Sequence, residues 1–150
     1  MSSLTLEAHT HRKNAEIYTG HDLCSQKSIQ LLSEFHLPNG LLPLSDIVEA
    51  GINRTTGFVW VKQKKPTTHR FETIGKTVRY DTEVTAVIEE KRMRKLSGVK
   101  SKEVGLIWVK IGEISVERDG MVSFGTGVGV SRSFPAEAFM VRDGGGDDGK

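Results

Sequence analysis

The spacing of hydrophobic positions changes once along the chain. Up to Phe35 apolar residues recur every three or four positions, and from Ser45 onward they come in short runs rich in Val, Ile, Thr and aromatics, cut by turn residues. Between the two lies Leu37-Pro38-Asn39-Gly40-Leu41-Leu42-Pro43-Leu44. Each of its prolines lacks an N–H, so the stretch can be neither a helix interior nor a central strand. It reads as a hinge that folds a helical lead over residues 4–36 onto a β body over residues 44–140.

Leu4, Ala8, His11, Ala15 and Tyr18 fall on one face of a first helix ended near Gly20. Asp22 is a good N-cap for a second, which brings Cys24, Ser28, Leu31, Leu32 and Phe35 together before Pro38 stops it. Strands are expected over 46–52 and 57–64, joined as a hairpin through Asn53-Arg54-Thr55-Thr56-Gly57, and then over 69–74, 77–80, 83–89, 104–116, 121–125 and 128–134. Gly75-Lys76 and Glu117-Arg118-Asp119-Gly120 supply tight turns, and the charged piece over 90–96 is expected as a short helical turn. In Phe58-Val59-Trp60-Val61 and Leu106-Ile107-Trp108-Val109 both strand faces are apolar, so both need covering. Either a helix packs outside two ordinary buried strands, or the sheet curls into a barrel around a cavity that holds one apolar ligand. The expected fold class is mainly β within α+β: N-terminal helices followed by an antiparallel, barrel-like buckled sheet.

A length of 150 residues with 37% hydrophobic content fits one domain, taken here as residues 1–142, with the Gly/Asp-rich 143–150 read as a disordered tail. Cys24 is the only cysteine, which excludes an intramolecular disulfide. No secretory h-region opens the chain and no apolar run approaches the ~18 residues of a membrane span, so the expectation is a soluble, cytoplasmic monomer that meets membranes at most from the surface. Asn53-Arg54-Thr55 has the form of a glycosylation acceptor, but without a secretory signal it reads as an Asn-led turn.

Candidate chemistry is sparse. No Gly-x-Ser-x-Gly elbow is present, and a triad from Ser97 or Ser131, His36 or His69, and Asp81 matches residue types alone. Asp81 and Glu83 share a strand face beside Glu89-Glu90, an arrangement explained more simply as a solvated acidic edge near Arg79 and Lys76 than as an acid–base pair. His9-x-His11 has the wrong spacing for one helix face; His21 and Cys24 could meet on one, but two ligands do not make a zinc site, so no metal is expected. Gly125, Gly127 and Gly129 alternate within a strand-like segment with no helix after them, which leaves no phosphate loop and no expected cofactor.

Charge changes the picture more than the net of +2 suggests. Between Arg54 and Lys102 thirteen Lys and Arg face five acids, leaving +8 on that segment. Lys62, Lys64, Lys65, Arg92, Arg94 and Lys95 make two basic clusters that could meet an acidic head group or an anionic membrane surface. A lysine-rich edge that discourages strand pairing is the plainer explanation. Nucleic acid ranks below lipid, because aromatics interleaved with the basic residues to stack bases are not evident.

Several strings resemble the plant domain of unknown function 538 family. They are Leu37-Pro38-Asn39-Gly40-Leu41-Leu42-Pro43, Thr56-Gly57-Phe58-Val59-Trp60, Tyr80-Asp81-Thr82-Glu83-Val84-Thr85-Ala86, Leu96-Ser97-Gly98-Val99-Lys100-Ser101-Lys102-Glu103, Ile107-Trp108-Val109 and Ser131-Arg132-Ser133-Phe134-Pro135. The resemblance implies a buckled, barrel-like sheet with N-terminal helical elements, in plant proteins linked to stress and development. It also implies two proposed activities, binding of lipids or other amphipathic molecules and chlorophyll hydrolysis, with no settled catalytic residues to carry over. This chain is similar to the members that lack a secretory signal, and departs from the family at Gly125-Thr126-Gly127-Val128-Gly129 and in the tail.

Three expectations follow. In the first, a non-enzymatic binding protein holds an apolar tail among Phe58, Trp60, Val84, Ala86, Ile88, Trp108, Phe124 and Phe134, with the six basic residues on its head group. The second is an esterase of an apolar ester such as chlorophyll, which needs a Ser–His pair in hydrogen-bond reach. The third is a ligand-free regulatory interaction module, whose interior would be filled by side chains.

Overall fold

The computed structural model describes residues 11–126 and 129–141. Strand β1 (Glu16–Thr19) precedes helix α1 (His21–Glu34); β2 (Ile47–Asn53), β3 (Phe58–Gln63), β4 (Thr67–Phe71), β5 (Lys76–Glu89), β6 (Arg92–Glu103), β7 (Ile107–Val116), β8 (Met121–Thr126) and β9 (Ser131–Pro135) follow, and a 3₁₀ turn (Ala136–Phe139) comes last. One antiparallel sheet runs in the order β1-β2-β3-β5-β6-β7-β8-β9, with β4 paired to β5 beside β3. Strands β1 and β9 are its unpaired edges, so the sheet curves around a core but is not closed into the expected barrel.

The hairpin β2–β3 forms as its sequence predicts. Asn53 Oδ1 accepts from the backbone N–H of Thr55 (3.0 Å) and Thr56 (3.2 Å), an Asx turn, while its Nδ2 donates to His11 O (3.0 Å) and Lys13 O (3.3 Å). Beyond it, β3 and β4 lie end to end along one edge of β5: Phe58 opposes Val87 and Lys62 opposes Glu83, then Thr67 opposes Tyr80 and Phe71 opposes Lys76. The gap between them is filled by Gln63, 2% exposed. Its Nε2 donates to Tyr80 O (3.1 Å) and Asp81 O (3.0 Å), and its Oε1 accepts from Ser45 N (3.1 Å) and Thr67 Oγ1 (3.3 Å). All the amide's principal valences are met without water.

Val59 and Val61 of β3, Val84, Ala86 and Ile88 of β5, Met93, Leu96 and Val99 of β6 and Ile111 and Ile114 of β7 face the main core. Cys24 and Leu32 of α1, Phe139, and Leu37, Leu41 and Leu44 of the two-proline hinge close it. The hinge is tied in by its own backbone: Gly40 N donates to Phe139 O (2.7 Å) and the Tyr80 hydroxyl donates to Leu41 O (2.9 Å). On the opposite sheet face Phe58 and Trp60 form a second cluster with Ala15, Ile17 and Val87. The Trp60 ring lies so close to Gly51 that a Cβ there would overlap the indole. Arg12 covers that ring and forms a two-pronged ion pair with Glu49 (2.6 and 2.9 Å), which also accepts from Trp60 Nε1 (2.8 Å).

The structure corrects several expectations. The N-terminal lead holds one described helix, not two: Ala15 and Tyr18 belong to a β1 region paired with β2, and residues 1–10, with Leu4 and Ala8, lie outside the described residues. Helix α1 starts at His21 behind Gly20, so Asp22 is no cap but an anion in the first turn, where the helix dipole favours it. Residues 77–80 and 83–89 are one strand, and residues 92–96 open β6 instead of forming a helical turn. Val104 and Leu106 belong to the β6–β7 turn, and Leu106, Ile107 and Trp108 are exposed, so this run is not buried on both faces. No helix among the described residues is long and apolar enough to cross a membrane.

Candidate functional site

The concave side of the sheet is left partly unfilled where α1 does not reach it. There β5, β6, β7, β8 and β9 line a cavity of about 310 Å³, at the lower end of the ~300–1,000 Å³ of small-molecule pockets. Four phenylalanines form its apolar wall: Phe139 meets Phe71 edge-on (5.0 Å between centroids) and Phe124 (5.0 Å), and Phe124 meets Phe134 (6.0 Å). Val78, Val109, Ile111 and Val130 complete it.

Strand alternation places a polar cluster on the same concave face. Ser101 and Glu103 of β6 point inward with Val109, and Lys76 enters from the start of β5. Glu103 accepts from Lys76 Nζ (3.0 Å) and Ser101 Oγ (2.8 Å), and Arg132 Nη2 lies 3.5 Å from the same carboxylate. Burial of Glu103 works against its ionisation, but the Lys76 and Ser101 hydrogen bonds and the Lys76 and Arg132 charges outweigh it and hold the carboxyl below its ordinary value. Two cations thus share one anion at the edge of an apolar pocket. Lys76 is largely buried, whereas Arg132 is half exposed at the rim.

Of the eight apolar residues the sequence singles out, the structure brings only Phe124 and Phe134 to this cavity. Val84, Ala86 and Ile88 are packed core on the same face of the sheet, while Phe58 and Trp60 point from the other face. Trp108 opposes Lys102 on the convex side. The six basic residues are not at the pocket either. Arg92 reaches Glu113 (2.6 Å) and Arg94 reaches Glu89 (3.2 Å) at the far end of β6 from Glu103, about 30 Å away at ~3.3 Å per residue. Lys95 is on the same stretch, Lys62 opposes Glu83, and Lys64 and Lys65 sit in the gap between β3 and β4.

The other candidates are dispersed. His36 pairs with Glu90, and His69, whose pKa burial pushes down, lies edge-on to Phe71 (4.6 Å). Among the described residues neither has a hydrogen bond to Ser97 or Ser131, which sit opposite Thr85 and Gly125. Asp81 lies 3.8 Å from Arg79. His21 Nδ1 accepts from Ile47 N (3.2 Å) and the Cys24 thiol donates to Tyr18 O (3.2 Å), so both side chains of the suggested metal pair serve the sheet. Gly127 lies outside the described residues.

Sequence reasoning missed Phe71, Lys76, Glu103, Arg132 and Phe139 as one site. A signal existed for part of it: Arg132 and Phe134 alternate in Ser131-Arg132-Ser133-Phe134-Pro135, and Ser101 and Glu103 alternate in the string before the turn. No curated protein and no solved structure matches the chain. Residues 28–140, most of the chain and the whole lining of the pocket, match the family described as a protein of unknown function, DUF538, and the chain belongs to that family.

Proposed function

We propose that this protein is a non-enzymatic binding protein for a single-chain or ring-shaped amphiphile with an anionic head. The apolar part lies among Phe71, Phe124, Phe134 and Phe139, and the head group meets Lys76 and Arg132. The observation that carries the reading is the charge arrangement at the pocket: two cations with one carboxylate leave a positive charge beside an apolar wall. An incoming carboxylate or phosphate takes Arg132 from its long contact with Glu103 without stranding Glu103, which keeps Lys76 and Ser101. The volume suits one chain or fused ring, not a two-chain lipid.

Titration with a dansylated undecanoic acid, followed by displacement with palmitate and with hexadecanol, tests this. The expected result is one saturable site, with palmitate displacing the probe at least 10-fold better than hexadecanol, and that preference lost in Arg132→Gln. Val109→Trp, which points a large ring into the cavity, should abolish binding while leaving the far-UV circular dichroism unchanged. An absence of saturable binding, or equal displacement by acid and alcohol, overturns the reading.

A further inference from the structure

The β6–β7 hairpin carries apolar side chains where a water-facing turn should be polar. Val104 is 88% exposed, Leu106 74%, Ile107 62% and Trp108 38%, and all four lie within five residues at one tip. Such a contiguous exposed group marks a surface that meets a partner.

Pairing across the hairpin shows what surrounds the tip. Ser101 opposite Val109 puts one face into the pocket, so Lys100 opposite Lys110 and Lys102 opposite Trp108 stand on the convex face, with Arg79 opposite Lys100 beside them. Lys102 Nζ lies 5.9 Å from the Trp108 ring centre. Asp81 lies 3.8 Å from Arg79, and Glu103 on the concave side is held by Lys76; among the described residues no ion pair involves Lys100, Lys102 or Lys110. An apolar tip, a tryptophan at its base and a ring of lysines behind it match the layers of an anionic bilayer in order: acyl boundary, interface and head groups.

We propose that this hairpin docks the protein on an anionic membrane surface, with Val104, Leu106 and Ile107 in the acyl boundary, Trp108 at the interface and Lys100, Lys102 and Lys110 on the phosphates. The aliphatic residues decide against single-stranded nucleic acid, since they have no π face on which a base can stack. Docking stands independently of the pocket's occupant, although Glu103 and Val109 put the pocket wall on the same hairpin.

Co-sedimentation of the full chain with vesicles of phosphatidylcholine alone, or with 30% phosphatidylserine, tests the proposal, alongside a single-stranded RNA oligonucleotide. The expected result is binding to the anionic vesicles at least 10-fold tighter than to neutral ones, with a blue shift of Trp108 emission. The Leu106→Ser, Ile107→Ser pair should lower that binding 10-fold or more. Lys100→Gln, Lys102→Gln and Lys110→Gln together should lower it about 100-fold, at about fivefold per lysine. Both variant sets should keep their far-UV circular dichroism and their affinity for the dansylated acid, which separates failure of docking from failure of the pocket. No binding to anionic vesicles overturns the proposal, as does binding without the Trp108 shift, or RNA binding tighter than vesicle binding and indifferent to Leu106→Ser.

Discussion

Gln63→Leu tests whether one buried amide holds the interrupted edge of β5. Leucine has nearly the same volume, so the substitution removes hydrogen bonds more than packing. It leaves Tyr80 O, Asp81 O and Ser45 N without their Gln63 partner, while the Thr67 hydroxyl can rotate elsewhere. Ser45 is exposed and its N–H can turn to water, so ~1–3 kcal/mol for each of the two carbonyls puts the loss at about 2–6 kcal/mol. Against a total of ~5–15 kcal/mol that is a large fraction. Urea unfolding should show a midpoint lower by about 2 M for a slope near ~2 kcal/mol/M. Thr67→Val, which removes one bond and leaves Gln63 satisfied by Ser45, should cost about 1 kcal/mol or less. A Gln63→Leu variant within ~1 kcal/mol of the parent would mean that the break between β3 and β4 holds without the amide.

Glu49 supplies a pH dependence. Its carboxyl is held below the ordinary value by the Arg12 hydrogen bonds, against burial and with help from Trp60. Its stabilising contribution is therefore complete above the unfolded value near ~4.3 and lost as pH falls through the lower folded value. Glu49→Gln should flatten the fall of urea midpoints below pH 5, and an unchanged slope contradicts this. Gly98 has φ +90°, and a Cβ there would overlap Glu83 O of β5, so Gly98→Ala should lower stability by ~2–3 kcal/mol in thermal unfolding, whereas Gly112→Ala, which meets nothing within 4 Å, should stay near the parent. Trp60 is fully buried and Trp108 38% exposed, so Trp108→Phe should leave blue-shifted emission resistant to acrylamide and Trp60→Phe red-shifted emission open to it; the reverse assignment sinks the face assignment of β3 and β7.

Helix α1, the Asx hairpin and most strands were legible because a single local rule decides each: period 3.6 ended by a proline, or an Asn-led turn between apolar runs. The opening of β6 was not. Met93, Leu96 and Val99 all face the core, yet they are three apart, because Lys95 (φ +52°) and Gly98 (φ +90°) break the two-residue alternation. A bulged strand then carries the spacing of a helix. Strand β1 is four residues long and its apolar positions fit a helix equally well, so only its pairing with β2 distinguishes it.

The site was less legible than the fold because register is a long-range property. Opposite-face placement of Trp60 and Ala86 follows from Trp60 pairing with Thr85, which no local pattern states. Lys76 and Glu103 meet through the β5–β6 register, in which Val78 opposes Ser101, and Arg132 reaches them from β9 only through the sheet's curvature. The aromatic and apolar run over 106–109 looked like core because exposure at a hairpin tip is a matter of where β6 ends, at Glu103.

The most direct test of the account is a titration of methyl-labelled protein with laurate, below its micellar concentration, observed by NMR. Saturable shifts are expected at the methyls of Val78, Val109, Ile111 and Val130, with Val59 and Val61 unmoved. Unchanged spectra, or shifts centred on Leu31 and Leu42 in the smaller space of about 160 Å³ beneath α1, would contradict it.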